Sequence, residues 1–274
     1  MENHIYENLY NQNILPKYGL NRDLSYDNFL VNQIFYPHQY SVTNRVSMLD
    51  IKVITIDPPG CKDADDAFSV FYKEDKLFLA IHIADPTEYI NLGSELWRTI
   101  QEKTITHYPS NKEPIHLMPE QIIKLASLTV ENNSNTELKN AISIITEIDK
   151  NTYLPINNVK LEFTKIRVSK DYTFSYNNAP NDLDEIKLGL KISKALYDLR
   201  SNKTVGTKLS EINNIYPTFE NNNISLNLDS ENVVSLKQMI AEFAIFANSF
   251  VSSTKESPIT LPGIGISIKL FILI

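Results

Sequence analysis

A single cysteine, Cys61, stands in the 274 residues of this chain. An internal disulfide is therefore excluded, which fits a reducing compartment. The opening stretch "MENHIYENLYNQN" lacks a basic region followed by an apolar run, so no signal peptide is expected. Long hydrophobic runs are missing too. The longest, "GIGISIKLFILI", falls short of the roughly 20 apolar residues that span a bilayer, and Lys269 interrupts it. These absences predict a soluble, cytoplasmic protein with no membrane partner. Positive charge is also scarce: the net charge of −7 argues against a broad basic surface for nucleic acid. It leaves room for a local basic groove or for a phosphate site mediated by a metal. No G-x4-G-K-[ST] motif occurs, which excludes a Walker phosphate loop. No internal repeat and no Pro/Gly/Ser linker divides the chain, so one domain is expected.

What is present is ordinary for a folded protein, with 42% hydrophobic and 22% charged residues, and disorder is not the expectation. Residues 1–45 are polar and aromatic with little periodicity and read as a lead-in segment. From residue 51 onward "IKVITI", "FSVFYK" and "KLFLAIHI" are short runs rich in β-branched and aromatic residues. Lys73-Glu74-Asp75-Lys76 joins the last two as a hairpin. "GSELWRTIQEK" predicts a helix capped by Ser94, and "LMPEQIIKLASL" a second one with Pro119 in its first turn. "NAISIITEID" and "NVKLEFTKIRVS" read as two further strands. The segments around 182–203 and 230–254 have the apolar stripe and capping residues of long helices. Strands first and helices later predict an α+β (mixed α/β) fold with a mostly antiparallel sheet flanked by helices.

The chemistry concentrates in "ITIDPPGCKDADDAF", where Asp57, Asp63, Asp65 and Asp66 fall within ten positions. Carboxylates this dense repel one another unless water screens them or a cation neutralises them. An EF-hand is excluded, because neither its glycine nor its closing glutamate is in place. Four acids in one loop are a poor match for a glycosidase pair. A hard-cation site remains, for Mg2+ or Mn2+, of the kind that activates water against phosphodiesters; the alternative is a solvated acidic loop. Pro58, Pro59 and Gly60 would force a tight bend after Asp57 and fold it back towards the later trio. His82 lies inside an apolar strand and Asp85 before a turn, so both read as structural. Cys61 has no base partner in sequence and reads as inert. Lys165 and Arg167 share a strand face by period two, suited either to RNA phosphates or to plain solvation.

The stretch "TIDPPGCKDADDAFSV…LFLAIHIADPTEYINLGSEL" resembles the active-site region of the ribonuclease II/R (RNB) family of 3′→5′ exoribonucleases. The resemblance continues through "HLMPEQIIKLASL", "AISIITEID", "DYTFSYNNA" and "LKQMIAEFAIFANSFVSS", over roughly residues 15–256. It implies an RNB-type catalytic domain over 46–256, and it makes Asp57, Asp63, Asp65 and Asp66 the carboxylates that hold Mg2+ near the scissile phosphate. Tyr108 in "THYPSN" would stack on the 3′-terminal nucleotide. The implied reaction is hydrolysis of single-stranded RNA to nucleoside 5′-monophosphates.

After Lys255 the text, "ESPITLPGIGISIKLFILI", no longer resembles the family, and residues 257–274 read as a divergent tail. The domain is thus expected to be incomplete. Two alternatives follow from that: an inactive truncated fragment that binds RNA or a partner, and one half of an enzyme completed by a second polypeptide. The last helix carries apolar residues on more than one face, including Val234, Leu236, Met239, Ile240, Phe243, Ile245, Phe246 and Phe250. An exposed apolar patch on that helix is therefore expected.

Overall fold

A computed structural model describes residues 44–61, 63–90, 93–103, 105–106, 115–131, 133–156, 158–202, 215–220 and 223–253. The chain divides into two compact units. Among the described residues, one holds residue 44 with 85–127 and the other residues 45–84 with 128–253. The 85–127 part of the first is inserted in the chain between two neighbouring strands of the second, so it needs no linker of distinctive composition.

In the larger unit, β1 (Val46–Met48), β2 (Thr55–Asp57), β3 (Asp66–Lys73) and β4 (Lys76–Ala84) come before the insertion. The inserted unit contributes a 3-10 turn, Pro86–Tyr89, and the helices α1 (Glu95–Lys103) and α2 (Glu120–Ala126). Then follow β5 (Thr136–Ile148), β6 (Lys160–Ser169), β7 (Thr173–Ser175), α3 (Asp184–Asn202), the hairpin β8 (Ile215–Glu220) and β9 (Asn223–Leu228), and α4 (Glu231–Ser253). A five-stranded sheet runs in the order β1-β6-β5-β4-β3, antiparallel except for the β1–β6 pair. Separately, β2 pairs with β7 in parallel. The expected α+β class with a mostly antiparallel sheet is therefore observed.

Local signals account for several elements. Glu74 and Asp75 both adopt positive φ, 49° and 61°. This is the geometry of a two-residue hairpin loop, and the acidic side chain of Asp75 suits it. The Ser94 hydroxyl accepts the Trp97 N–H at 3.1 Å and so caps α1 as expected. Pro119 stands one position earlier than expected, at the cap of α2 rather than inside its first turn. In the inserted unit Ile90, Leu96, Ile100, Leu117 and Ile122 form a small core, and the Asp85 carboxylate accepts the Thr87 hydroxyl at the 3-10 turn.

Both faces are buried along β3, β4 and the second half of β5, which is why those strands read as continuous apolar runs, whereas β6 alternates with Lys165 and Arg167 exposed. On one face Phe68, Val70, Leu79, Ile81 and Ile144 pack with Ile186, Ile192, Leu236, Met239 and Phe243 of α3 and α4. The opposite face carries smaller side chains, Ala67, Ala80, Ala84 and Ala141, with Ile166 and Val168. A Cβ at Gly189 of α3 would stand 2.8 Å from the Met239 sulfur, so glycine there lets α4 approach closely. The two helices are also joined by a bidentate pair. Arg200 Nη2 and Nε donate to Glu242 Oε1 and Oε2 at 2.5 and 3.2 Å, and Glu242 is buried.

Of the apolar residues expected to form a patch on α4, Leu236, Met239 and Phe243 are buried, whereas Val234, Ile240, Ile245, Phe246 and Phe250 are half-buried. Among the described residues none of its large apolar side chains is exposed. Ile240, Phe246 and Phe250 are half-buried and pack against the margin of the main core. Apolar side chains on several faces of a helix can be covered in part by its own domain when, as here, the helix lies across the sheet beside a second helix.

Candidate active site

The four aspartates stand where strands end. Asp57 closes β2, Asp66 opens β3, and Asp63 and Asp65 lie in the connecting loop. The loop is pinned at its base by an isolated bridge in which Ile54 and Phe68 exchange both backbone bonds at 2.9 Å. Directly after Asp57 the chain turns. The Cys61 N–H donates to the Pro58 carbonyl at 3.1 Å, and Gly60 has φ +82°. Proline at the second position and a left-handed glycine at the third make the pattern of a type II turn, so "PPG" does fold the chain back as expected. Further along, the Ala64 carbonyl accepts from Leu128 N–H and the Asp65 carbonyl from Ala84 N–H, both at 2.8 Å. Ala64 is fully buried. A small apolar anchor between acidic neighbours thus ties down the loop while the carboxylates on either side stay at its surface.

The carboxylates share one electrostatic field. Burial, then repulsion from Asp66 and Asp63, pushes Asp57 up to about 7. Asp65 is open to solvent on one side, yet the surrounding protein and the charges of Asp63, Asp66 and Asp57 carry it to about 7 as well. Burial also raises Asp66. The Cys61 sulfur lies 3.8 Å from Asp57 Oδ1 and 3.6 Å from Asp63 Oδ1. Its thiol is pushed up to about 12, first by burial and then by Asp57. Cys61 is therefore no nucleophile, as expected, but its S–H serves as a donor between two of the acids.

Tyr176 is the site residue that sequence reasoning passed over. It follows β7, whose Ser175 is in register with Asp57 across the parallel pair. Its N–H donates to the Asp57 carbonyl at 3.0 Å. Burial and the charges of Asp66 and Asp57 hold its phenol protonated well above the usual range. The only sequence signal was its place within "DYTFSYNNA", since a three-residue parallel pairing has no local pattern.

The donor chemistry of the loop suits a hard divalent cation. It offers carboxylate oxygens, and the proton affinity of two of them is raised by burial and by neighbouring acids. Among the described residues no three His, Cys, Asp or Glu side chains are grouped closely enough to hold a metal as they stand.

The remaining candidates separate. His82 is fully buried and its pKa is lowered to about 3 by that burial. Ser69 Oγ donates to the Lys52 carbonyl at 2.6 Å, so it must accept the 3.0 Å bond from His82 Nε2. The other nitrogen, Nδ1, then accepts from Ser143 Oγ at 2.7 Å, and Ser143 in turn accepts from Thr164 Oγ1 at 2.6 Å. A neutral histidine thus joins β3, β4, β5 and β6 in one satisfied polar chain, a structural role. Lys165 and Arg167 are exposed on β6 between buried Thr164, Ile166 and Val168. They lie at the same end of the sheet as Asp66, but three ladders separate β6 from β3, about 14 Å at the usual strand spacing. They are not part of the aspartate loop. Tyr108 lies outside the described residues.

The sequence model of the RNB domain matches residues 45–265. This chain belongs to the RNB domain family. Among curated relatives of this RNB chain, the exosome complex exonuclease dis3 of Schizosaccharomyces pombe is 26% identical over 223 residues, covering 76% of this chain and 22% of that protein. The chain therefore spans under a quarter of that relative's length. Two solved structures share its fold. Mycoplasma genitalium RNase R in complex with ribose methylated single-stranded RNA aligns at a TM-score of 0.66 and 20% identity, covering 84% of this chain and 36% of that one. Yeast Ssd1, a pseudonuclease, aligns at 0.58 and 18%, covering 81% and 27%. Among the described residues no helix is long and apolar enough to cross a membrane.

Proposed function

We propose that this RNB chain is a 3′→5′ exoribonuclease that hydrolyses single-stranded RNA to nucleoside 5′-monophosphates in the cytoplasm. The observation that carries this reading is the loop of four acids held at strand ends, in a chain of the RNB family, with two carboxyls raised to about 7 by burial and mutual repulsion. Asp57, Asp63, Asp65 and Asp66 would hold Mg2+ or Mn2+, which lowers the pKa of bound water and offsets charge on the phosphate. The chain's own part is to keep these acids at one end of the sheet, with the Cys61 thiol between Asp57 and Asp63 and the Tyr176 N–H on the Asp57 carbonyl. Hydrolysis breaks the last P–O3′ bond: water adds to phosphorus and the proton passes to the departing 3′ oxygen. Tyr108 would stack on the terminal base, and Lys165 and Arg167 would meet phosphates further from the cut.

A second reading rests on the similarity to a pseudonuclease and on the small share of its relatives that the chain spans. In it the chain binds RNA or a partner without cleaving, or works with a second polypeptide that completes the domain. Incubation of the purified chain with 3′-labelled single-stranded RNA, with Mg2+ or with EDTA, separates the two. Release of labelled mononucleotide only with Mg2+, and its loss in Asp65→Asn with RNA binding kept, supports the enzyme. No release under either condition, or release by Asp65→Asn at the normal rate, sinks it.

A further inference from the structure

Helix α4 opens at Glu231. Ser230 caps it, accepting the Val233 N–H at its hydroxyl at 3.3 Å and the Val234 N–H at its carbonyl at 3.0 Å. Two turns in, half-buried Lys237 follows the buried Leu236. Its ammonium reaches back to Asp229 Oδ2 at 2.6 Å. It also lies 5.7 Å from the centre of the Tyr176 ring. Tyr176 is the residue tied by its backbone to Asp57 and lying in the field of Asp57 and Asp66. Lys237 therefore places a positive charge against the ring of a tyrosine whose phenol lies in the field of Asp57 and Asp66.

That position answers a problem the site creates. A loop of carboxylates repels the phosphates of any RNA brought to it, and a net charge of −7 gives no general attraction. A fixed cation at the rim would help draw the backbone in. An ammonium carries three donors. One of them meets Asp229, whose side chain is only 6% exposed, while the lysine side chain is 35% exposed and can turn its other donors outward. Asp229 also stands just before the N-terminus of α4, where the helix dipole favours an anion and keeps the brace in place.

We propose that Lys237, braced by Asp229 and the Tyr176 ring, grips an RNA phosphate at the rim of the aspartate loop. The proposal rests on the reading of that loop as an RNA site. It assigns to Lys237 a binding role, with no part in bond breaking.

The test is binding of a fluorescein-labelled single-stranded RNA to the full chain in EDTA, followed by anisotropy across a salt series. Lys237→Met removes the charge and keeps the stem; Lys237→Gln is the second charge-removing variant, and Lys237→Arg keeps the charge. Lys150→Gln, at the opposite end of the sheet beside Asp75, is the control. Loss of one phosphate contact should lower the slope of log K against log salt by about 0.7 and weaken binding about five-fold at 0.1 M salt. The expected result is that change in Met and Gln variants alike, with Arg and the Lys150 control near wild type. An unchanged slope in folded Lys237→Met and Lys237→Gln, while wild type binds RNA, overturns the assignment and leaves the RNA reading standing. Failure of both variants to fold also overturns it, making Lys237 a fastener of the helix start. Absence of binding by wild type at every salt concentration removes the RNA reading and Lys237 with it.

Discussion

Replacing Asp57 with asparagine should make the metal-free protein more stable at pH 8, against the usual direction of a change in a functional site. The Asp57 carboxyl rises from 3.8 to about 7, through burial first and then through Asp66 and Asp63. A carboxyl with a raised folded pKa penalises the folded state when ionised. The penalty is fully present above about 7 and is relieved as pH falls towards 3.8. At about 1.4 kcal/mol per unit the full penalty is about 4 kcal/mol, an upper bound for a half-buried group. Asparagine carries no charge but forfeits the contact from the Cys61 thiol, so a net gain of roughly 1–3 kcal/mol is expected at pH 8. For a chain of this size that corresponds to a melting midpoint higher by about 2–4 °C per kcal/mol. Urea and thermal unfolding at pH 5 and pH 8 would measure it. Wild type should gain stability on acidification and Asp57→Asn should gain less. Added Mg2+ at pH 8 should raise the wild-type midpoint more than that of the variant. Equal destabilisation of Asp57→Asn at both pH values, with an unchanged pH profile, would refute the reasoning.

Three further outcomes are expected. Tyr108→Ala should weaken engagement of the RNA 3′ end by roughly 1–3 kcal/mol, read as weaker binding or a longer end product; loss of fold instead would make Tyr108 a core residue. His82→Phe should destabilise by several kcal/mol, because Ser69 and Ser143 lose their buried partner, whereas the His82 ring in wild type should show no titration by NMR between pH 5 and 8. Arg200→Met should cost about 3–5 kcal/mol by leaving Glu242 buried and unpaired; if Arg200→Met with Glu242→Met is no more stable than the single variant, the pair is not what holds α3 to α4.

The sequence by itself determined the features whose causes are local. The Lys73–Lys76 turn, the Ser94 cap, the "PPG" bend and the period of the longer strands and helices each depend on residues a few positions apart, and each was legible. The density of four aspartates was legible for the same reason, as was the family resemblance. Tertiary structure alone decided the rest. The three-residue strands β1 and β7 exist only because partners more than a hundred residues away complete their hydrogen bonds. Through that pairing Tyr176 reaches Asp57, and no spacing rule predicts it. His82 became a neutral crosslink once β3 and β5 placed hydroxyls on its two nitrogens and β6 added a third behind Ser143. The apolar back of α4 found partial cover against a core built from both sides of the insertion. Even the aspartates acquired their chemistry in the fold, because a carboxyl reaches about 7 only where protein displaces water and like charges are held close by distant backbone bonds. Pattern follows from neighbours in the chain, whereas burial and charge coupling follow from neighbours in space.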